Sequence, residues 1–556
     1  MENETGNTPQ KRDYNRRRFL QVSALSAGGV LLAACGGSDP TQLAKTTVVP
    51  TANPTSVAAT VQAAIGKTYF PSTMTGVPDA YTAPLPPFQS VFNVPGRGGP
   101  VNVFSLSFKP APSPKGQNKY WQELEKRLNV TWNVNFAAGG DVYQTKSATT
   151  LAGGTSPDLF IVSTGDAPAL NQALQQGAFN DLTPYLTGSA LKDYPNLARI
   201  NEKILKNSMF NGKLYGVPRA RPLTGNLLYY RRDWATKAGL GEPKSADDFY
   251  AMMKAFTKNG SWGMGFASAG GLVGNAIFMN MFGVPNGWRL ESDGSLTYYI
   301  QTDEYKQAVS FMKRMFADGL FHPDSLTMTI LQLKQALWSG KVGAYADGYG
   351  AMPLPMTSTK AIDPTADVAI MVPPAANGGK AVHWFGPGFY AFTGIPSAIS
   401  DPERIKELLR IMDYLSAPSF SVENNFLQYG IDGVDNTSAA NGVRKLTDAG
   451  NKEIGDLAYA GNGSPVLYYA AQADLGPVVQ KTLMQIHPLG IDDPTVGKYS
   501  PTNAKQSAVL SKIVNDRVLR VVRGLDPLSG LDDLVNIWKS QGGTQIAQEL
   551  AKAIHG

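Results

Sequence analysis

The sequence predicts an α/β protein of two lobes, each an open sheet flanked by helices, and three observations carry that reading. From residue 99 onward, short apolar runs alternate with helical periodicity in the order β-α-β-α-β. A second series of amphipathic, capped helix patterns starts near residue 245. The length of 556 residues, 43% hydrophobic and 17% charged, is more than one folded unit needs and enough for sizeable cores.

In the first unit, Val101, Val103, Phe104 and Leu106 read as a strand. Tyr120, Trp121, Leu124 and Leu128 then recur at helical spacing, and Val130, Trp132, Val134 and Phe136 alternate as a second strand. A helix pattern near 141–152 leads into Pro157-Asp158-Leu159-Phe160-Ile161-Val162, a short buried strand. Ligands of open α/β sheets sit outside the carboxyl ends of the strands, which makes Phe108-Lys109 and Ser163-Thr164-Gly165-Asp166 candidate loops. In the second unit, Ser245-Ala246-Asp247-Asp248 starts a helix with Phe249, Met252, Met253 and Phe256 on one face. Thr302-Asp303-Glu304 starts another, which Gly319 ends. Asp401-Pro402-Glu403 starts a third, with Pro at the first helical position and a buried stripe of Ile405, Leu408, Leu409, Met412 and Leu415.

The ends and the composition add limits. Arg16-Arg17-Arg18-Phe19-Leu20-Gln21, followed by an apolar run from Val22 to Ala34, resembles a twin-arginine export signal. That run is too short to span a bilayer permanently. It ends in Leu32-Ala33-Ala34-Cys35-Gly36, which resembles a bacterial lipobox, so residues 1–35 read as signal and Cys35 as the lipidation site. The alternative is a short hydrophobic N-terminus with a chance Cys. Residues 36–98 hold 9 Pro and 10 Thr and read as a tether. Tyr69-Phe70, Phe88 and Phe92 are the positions where it would pack on the body.

Cys35 is the chain's one Cys, which excludes an internal disulfide and a Cys-based zinc site; His322, His383, His487 and His555 offer no spaced metal pair. The net charge of +6 falls to +4 without the first 34 residues, and no basic run or recognisable module supports nucleic-acid binding.

Asn211-Gly212-Lys213-Leu214-Tyr215-Gly216-Val217-Pro218, then Leu228-Tyr229-Tyr230-Arg231-Arg232-Asp233-Trp234 and Ala238-Gly239-Leu240, is the most telling stretch. With Gly177–Leu186, Gly319–Asp324 and Gly340-Lys341-Val342-Gly343, it resembles the family 1 extracellular solute-binding proteins of ABC sugar importers, over roughly residues 99–435. The style is that of the large oligosaccharide-binding lipoproteins related to alginate-oligosaccharide binders, although the sequence has no obvious Arg/Lys cluster for repeated uronates. The resemblance implies a periplasmic-binding-protein-like fold of type II, with lobes joined by hinge crossings near 219–226, 368–373 and 432–437. The first lobe would then be 99–222 with 373–432, and the second 223–372 with 433–556. It also implies an ABC permease as partner, a monomer, no cofactor and no catalysis; lipid on Cys35 would hold the protein at the extracytoplasmic face of the cell membrane. Some relatives bind calcium after the helix that ends here near Phe256. Thr257-Lys258-Asn259-Gly260-Ser261-Trp262 lacks spaced oxygen ligands, so no metal is expected there.

A saccharide offers C–H faces to aromatic rings and hydroxyls to planar polar groups. Trp384, at the edge of the Phe389–Phe392 strand, is the foremost stacking candidate; the resemblance implies a second-lobe ring in the loop that ends the Gly340 strand, which gives Tyr349 with Asp347. Phe108 after the first strand, Arg219 and Asn226 at the first crossing, and Asp166, which the resemblance places in a sugar-contacting polar loop, complete the expected ligand-binding set. Each has a plainer alternative. The rings are core side chains, Asp166 caps a helix through Ala167-Pro168, Asp347 is a turn residue before Gly348, and Arg219 and Asn226 knit the hinge. Trp262 and Tyr468-Tyr469 are further possible platforms. Walker, His-Glu-x-x-His and Gly-x-Ser-x-Gly signatures are missing. The rival readings are a secreted lipoprotein polysaccharide hydrolase or lyase, needing only two carboxylates, and a surface adhesion or signalling lipoprotein.

Overall fold

The computed structural model describes residues 64–555 except 139–140, 153–155, 164–172, 267–275, 377, 462–464 and 471. Residues 1–35 with the expected export signal and Cys35, residues 36–63, and Asp166 lie outside the described residues. In chain order, the strands of the N-terminal part are β1 (Tyr69–Phe70), β2 (Ala80–Tyr81), β3 (Pro100–Ser107), β4 (Thr131–Ala138), β5 (Leu159–Ser163) and β6 (Val217–Ala220). The central part holds β7 (Asn226–Arg231), β8 (Trp262–Met264), β9 (Trp288–Leu290), β10 (Leu296–Tyr298), β11 (Val342–Gly348) and β12 (Val368–Met371). The remainder holds β13 (His383–Trp384), β14 (Phe389–Gly394), β15 (Asn436–Ser438), β16 (Arg444–Leu446), β17 (Leu467–Tyr468) and β18 (Gly490–Ile491).

The first lobe is built on a five-stranded sheet in the order β4-β3-β5-β14-β6. β3 pairs in parallel with β4 and β5, while β14 runs antiparallel to β5 and β6. The parallel pairs need crossover helices. The Lys119–Leu128 helix is one, capped by the Asn118 side chain, which accepts from the Trp121 N–H, and ended by Asn129 in the left-handed region. Trp132 of β4 is fully buried, and its indole N–H donates to the Leu457 carbonyl at 3.0 Å.

The second lobe carries a four-stranded sheet in the order β12-β7-β11-β8. The Ala246–Phe256 helix starts with a reciprocal capping box between Ser245 and Asp248 and buries Phe249, Met252, Met253 and Phe256. Thr302 caps the Asp303–Ala317 helix, and Asp401 caps the Pro402–Leu415 helix of the first lobe. The C-terminal helices Pro501–Val522, Gly530–Trp538 and Thr544–His555 add Leu510, Val514, Leu534, Trp538 and Leu550 to the second lobe's core. At 257–262 the chain turns tightly, with Asn259 and Gly260 both left-handed, and the Ser261 hydroxyl bonds to the Phe256 carbonyl at 2.8 Å.

Three passages of chain join the lobes. Residues 221–225 lead from β6 to β7, and 372–388 lead from β12 back to β14. The third lies later than expected. The 432–437 stretch does not cross: it opens the β15–β16 hairpin, and the Thr447 N–H donates to the Asp435 carbonyl at 2.9 Å. Ile454, Leu457 and Ala460 belong to the first core, so the chain leaves that lobe only after Ala460, towards β17. The boundary at 433 therefore moves, because Trp132 and its neighbours need the apolar side chains of 454–460 to complete their burial.

The expected tether also shortens from its C-terminal end. Val77 and Ala80 are buried beneath the second sheet, and β2 pairs with β1 and β17. Further along, the Glu423 carboxylate accepts from the Ser90 N–H and hydroxyl and from the Val91 N–H, and Glu407 accepts from the Arg97 N–H. Residues 64–98 thus form a strap pinned to both lobes. Tyr69 stacks on Tyr81 at 4.8 Å, and Phe88 bridges to Ser421, whereas Phe92 stays exposed.

Candidate functional site

The first two crossings run side by side between the lobes. The Arg221 N–H donates to the Gly388 carbonyl at 2.7 Å, the Gly386 N–H to the Leu223 carbonyl at 2.8 Å, and the Tyr349 N–H to the Gly225 carbonyl at 2.7 Å. Close approach demands small residues. Gly388 has φ +85°, and a Cβ there would lie 2.7 Å from Ile204 Cγ1 and 2.9 Å from Leu223 Cδ2. Gly388→Val is expected to cost about 2–3 kcal/mol from strain and overpacking, read as a lower denaturant midpoint at unchanged slope.

Beside these crossings lies a cavity of about 350 Å³. Arg221, Asn226 and Phe389 line it with Tyr349, Trp384 and Asn286. Its site is set by sheet topology. Asn226 opens β7 and pairs with Gly348 at the carboxyl end of β11, where Tyr349 follows. Trp384 is fixed by two hydrogen bonds: its indole N–H donates to the Val284 carbonyl at 2.7 Å, and its backbone N–H to Asn280 Oδ1 at 3.1 Å. Tyr299 meets the indole edge-on at 5.8 Å. Asn286 Nδ2 donates to the Phe385 and Ile491 carbonyls, which ties the 372–388 passage to β18. Burial, with Tyr469 nearby, holds the Tyr349 phenol well above its ordinary pKa, so it stays a neutral hydroxyl.

A wall of rings continues on the first lobe. Phe108 is 58% exposed and lies 5.8 Å from Tyr390 and 6.1 Å from Tyr459. The Arg221 guanidinium lies 4.4 Å over Tyr390, and that of Arg219 lies 4.0 Å over Tyr459.

Asn226, Tyr349 and Trp384 thus meet around one cavity, and Phe108 stands on the adjoining wall. Arg219 instead spends its guanidinium on the Tyr459 and Gly461 carbonyls. Asp347 turns away as well: it pairs with Lys334 at 3.0 Å and accepts from the Tyr345 hydroxyl and the Gly348 N–H. Trp262 sits at the other end of the second sheet, paired with Val342 at the start of β11, and packs on His322. Arg221, Asn280, Asn286, Tyr390 and Tyr459 were not expected. Arg221 alone carried a signal, since it lies two residues beyond Arg219 on the same face of an extended segment.

Residues 111–418, just over half of the chain, match the family of bacterial extracellular solute-binding proteins. The chain belongs to that family. Among curated proteins it is 27% identical over 462 residues to Lipoprotein LipO of Bacillus subtilis (strain 168), covering 80% of this chain and 88% of that one. It is 26% identical over 484 residues to the polygalacturonan/rhamnogalacturonan-binding protein YtcQ of the same organism, covering 82% and 93%. Among solved structures, an extracellular solute-binding protein from Bifidobacterium longum subsp. infantis superposes with a TM-score of 0.62 at 15% identity, over 84% of this chain and 99% of that one. The S. pneumoniae ABC-transporter substrate-binding protein FusA, in complex with kestose, gives 0.61 at 15% identity, over 83% and 99%. These likenesses establish the two-lobed fold. In this solute-binding protein the cavity lies where two lobes meet on a few crossing segments, a geometry that can hinge shut around a ligand.

Proposed function

We propose that this solute-binding protein captures an oligosaccharide in the interlobe cavity and delivers it to the permease of an ABC importer. The observation that carries the reading is the cavity wall. Trp384, Tyr349 and Phe389 offer rings, and Asn226, Asn286 and Arg221 offer planar polar groups, all at the junction of the lobes. That pairing suits a pyranose, which buries its C–H faces and needs directed partners for its hydroxyls. LipO, YtcQ and FusA, by name a lipoprotein, a polygalacturonan/rhamnogalacturonan-binding protein and an ABC-transporter substrate-binding protein, support the same reading. Cys35, once lipidated after twin-arginine export, holds the monomer at the extracytoplasmic face of the membrane. Several acyl chains give firm anchoring, since one binds only marginally.

The test is a thermal-shift screen against an oligosaccharide panel. A ligand that raises the melting temperature and is recovered intact is the expected result. Cleaved product would instead establish the hydrolase or lyase reading.

A further inference from the structure

The cavity is electrically one-sided. Among its described lining residues Arg221 is the one formal charge, and no Asp or Glu accompanies it. Its guanidinium is held over the Tyr390 ring at 4.4 Å and approaches Gly350 across the junction, yet makes no ion pair with a described carboxylate. Arg219, two residues earlier, is in the same condition: its partners are two backbone carbonyls and the face of Tyr459. Burial pushes the Arg219 pKa down, and the adjacent Arg221 charge pushes it further. The field of Asp456 reaches Arg219, but that carboxylate accepts from the Ser107 hydroxyl and from the Phe108 and Lys109 N–H groups.

Two neighbouring guanidiniums that pair with none of the described carboxylates are unfavourable in the free protein, because like charges repel and two carbonyls offset the desolvation of Arg219 only in part. By contrast Arg231, which is buried, is neutralised: it forks onto Asp233 and also pairs with Asp363. Arg219 is committed to carbonyls. Arg221 keeps its fork of donors, fixed by stacking and turned to the cavity, in the form suited to a planar two-oxygen anion.

We propose that the captured saccharide is acidic, carrying a uronic acid unit, and that Arg221 is the specificity-determining residue that receives its carboxylate. This rests on the reading of the cavity as a saccharide site. The carboxylate supplies the missing counter-charge, and the neighbouring rings take the sugar faces. A neutral sugar would leave the guanidinium desolvated and unpaired when the lobes close.

Titration calorimetry with trigalacturonate, tetramannuronate and a glucuronate-bearing xylotetraose, each against its methyl ester, tests the proposal. At least one free acid is expected to bind roughly 10- to 100-fold more tightly than its ester, the range of a charge-assisted hydrogen bond, with the preference shrinking at high salt. Arg221→Gln is expected to abolish that preference with little change in melting temperature, and Arg221→Lys to restore part of it. Equal affinity for acid and ester overturns the proposal, as does a preference that survives Arg221→Gln. Binding of neutral oligosaccharides alone overturns it while leaving the saccharide reading intact. Binding of neither class overturns both.

Discussion

Replacing Trp384 by Ala is expected to weaken oligosaccharide binding by about 2 kcal/mol or more, roughly 30-fold, the scale of an aromatic anchor in a recognition site. Two features place Trp384 above the other rings. It stands on the passage that returns to the first lobe, and both of its N–H groups are fixed, one to the Val284 carbonyl and one to Asn280. Its position is therefore set before the ligand arrives, which limits the ordering cost of binding. Trp384→Phe separates the two contributions, since it keeps a ring and loses the bond to Val284. Calorimetry on both variants should give a small loss for Phe and a large one for Ala. Equal, small losses would show that the indole is only a structural tie.

The second large effect is a dependence of stability on pH centred on His383. This side chain is 2% exposed, and neither ring nitrogen has a partner among the described residues. Burial, with a smaller contribution from His487, pushes its pKa down from 6.5 to about 4. The folded protein therefore disfavours the imidazolium. The stability that the neutral ring preserves is complete above pH 6.5, falls as pH drops towards 4, and is lost below it, an effect of about 3 kcal/mol. Asp413 acts in the opposite sense. Its buried carboxyl, which accepts from the Asn196 and Leu197 N–H groups, is pushed up from 3.8 to about 6, so its contribution is present at low pH and lost as pH rises through 6. Wild type alone would blur the two, so the comparison is with His383→Phe, which keeps Asp413 and removes both unpaired nitrogens. Denaturant unfolding from pH 7 to pH 4 should find the variant at least as stable as wild type at pH 7. Wild type should then lose about 3 kcal/mol relative to it by pH 4. Parallel pH profiles would contradict the assignment.

Much of this architecture was legible in the chain. The β-α-β-α-β start and the Ser245, Thr302 and Asp401 helix caps rest on local rules, such as apolar periodicity and N-cap chemistry, which act within one element. The third crossing was not legible, because 454–460 stay with the first lobe through non-local burial around Trp132. For the same reason the Pro- and Thr-rich strap looked like a tether. Its low periodicity hides the backbone donors of Ser90, Val91 and Arg97, which two buried glutamates from distant helices receive. In the cavity, Trp384 could be placed from a strand edge, Asn226 from the first crossing, and Tyr349 from the family resemblance at the end of the Gly340 strand. Asp347 sits at such an end too, but strand alternation and Lys334 draw it away. Asn280, Asn286 and Tyr459 come from segments whose sequence carries no sign of their meeting.

The central claim is that an oligosaccharide is held between the lobes at the paired crossings. A co-crystal structure with the ligand that most raises the melting temperature tests it most directly. The account predicts a saccharide against Trp384 and Tyr349, with polar contacts to Asn226 and Arg221 and the two lobes closed on it. A ligand bound outside the cavity, with Trp384 and Tyr349 untouched, would contradict it.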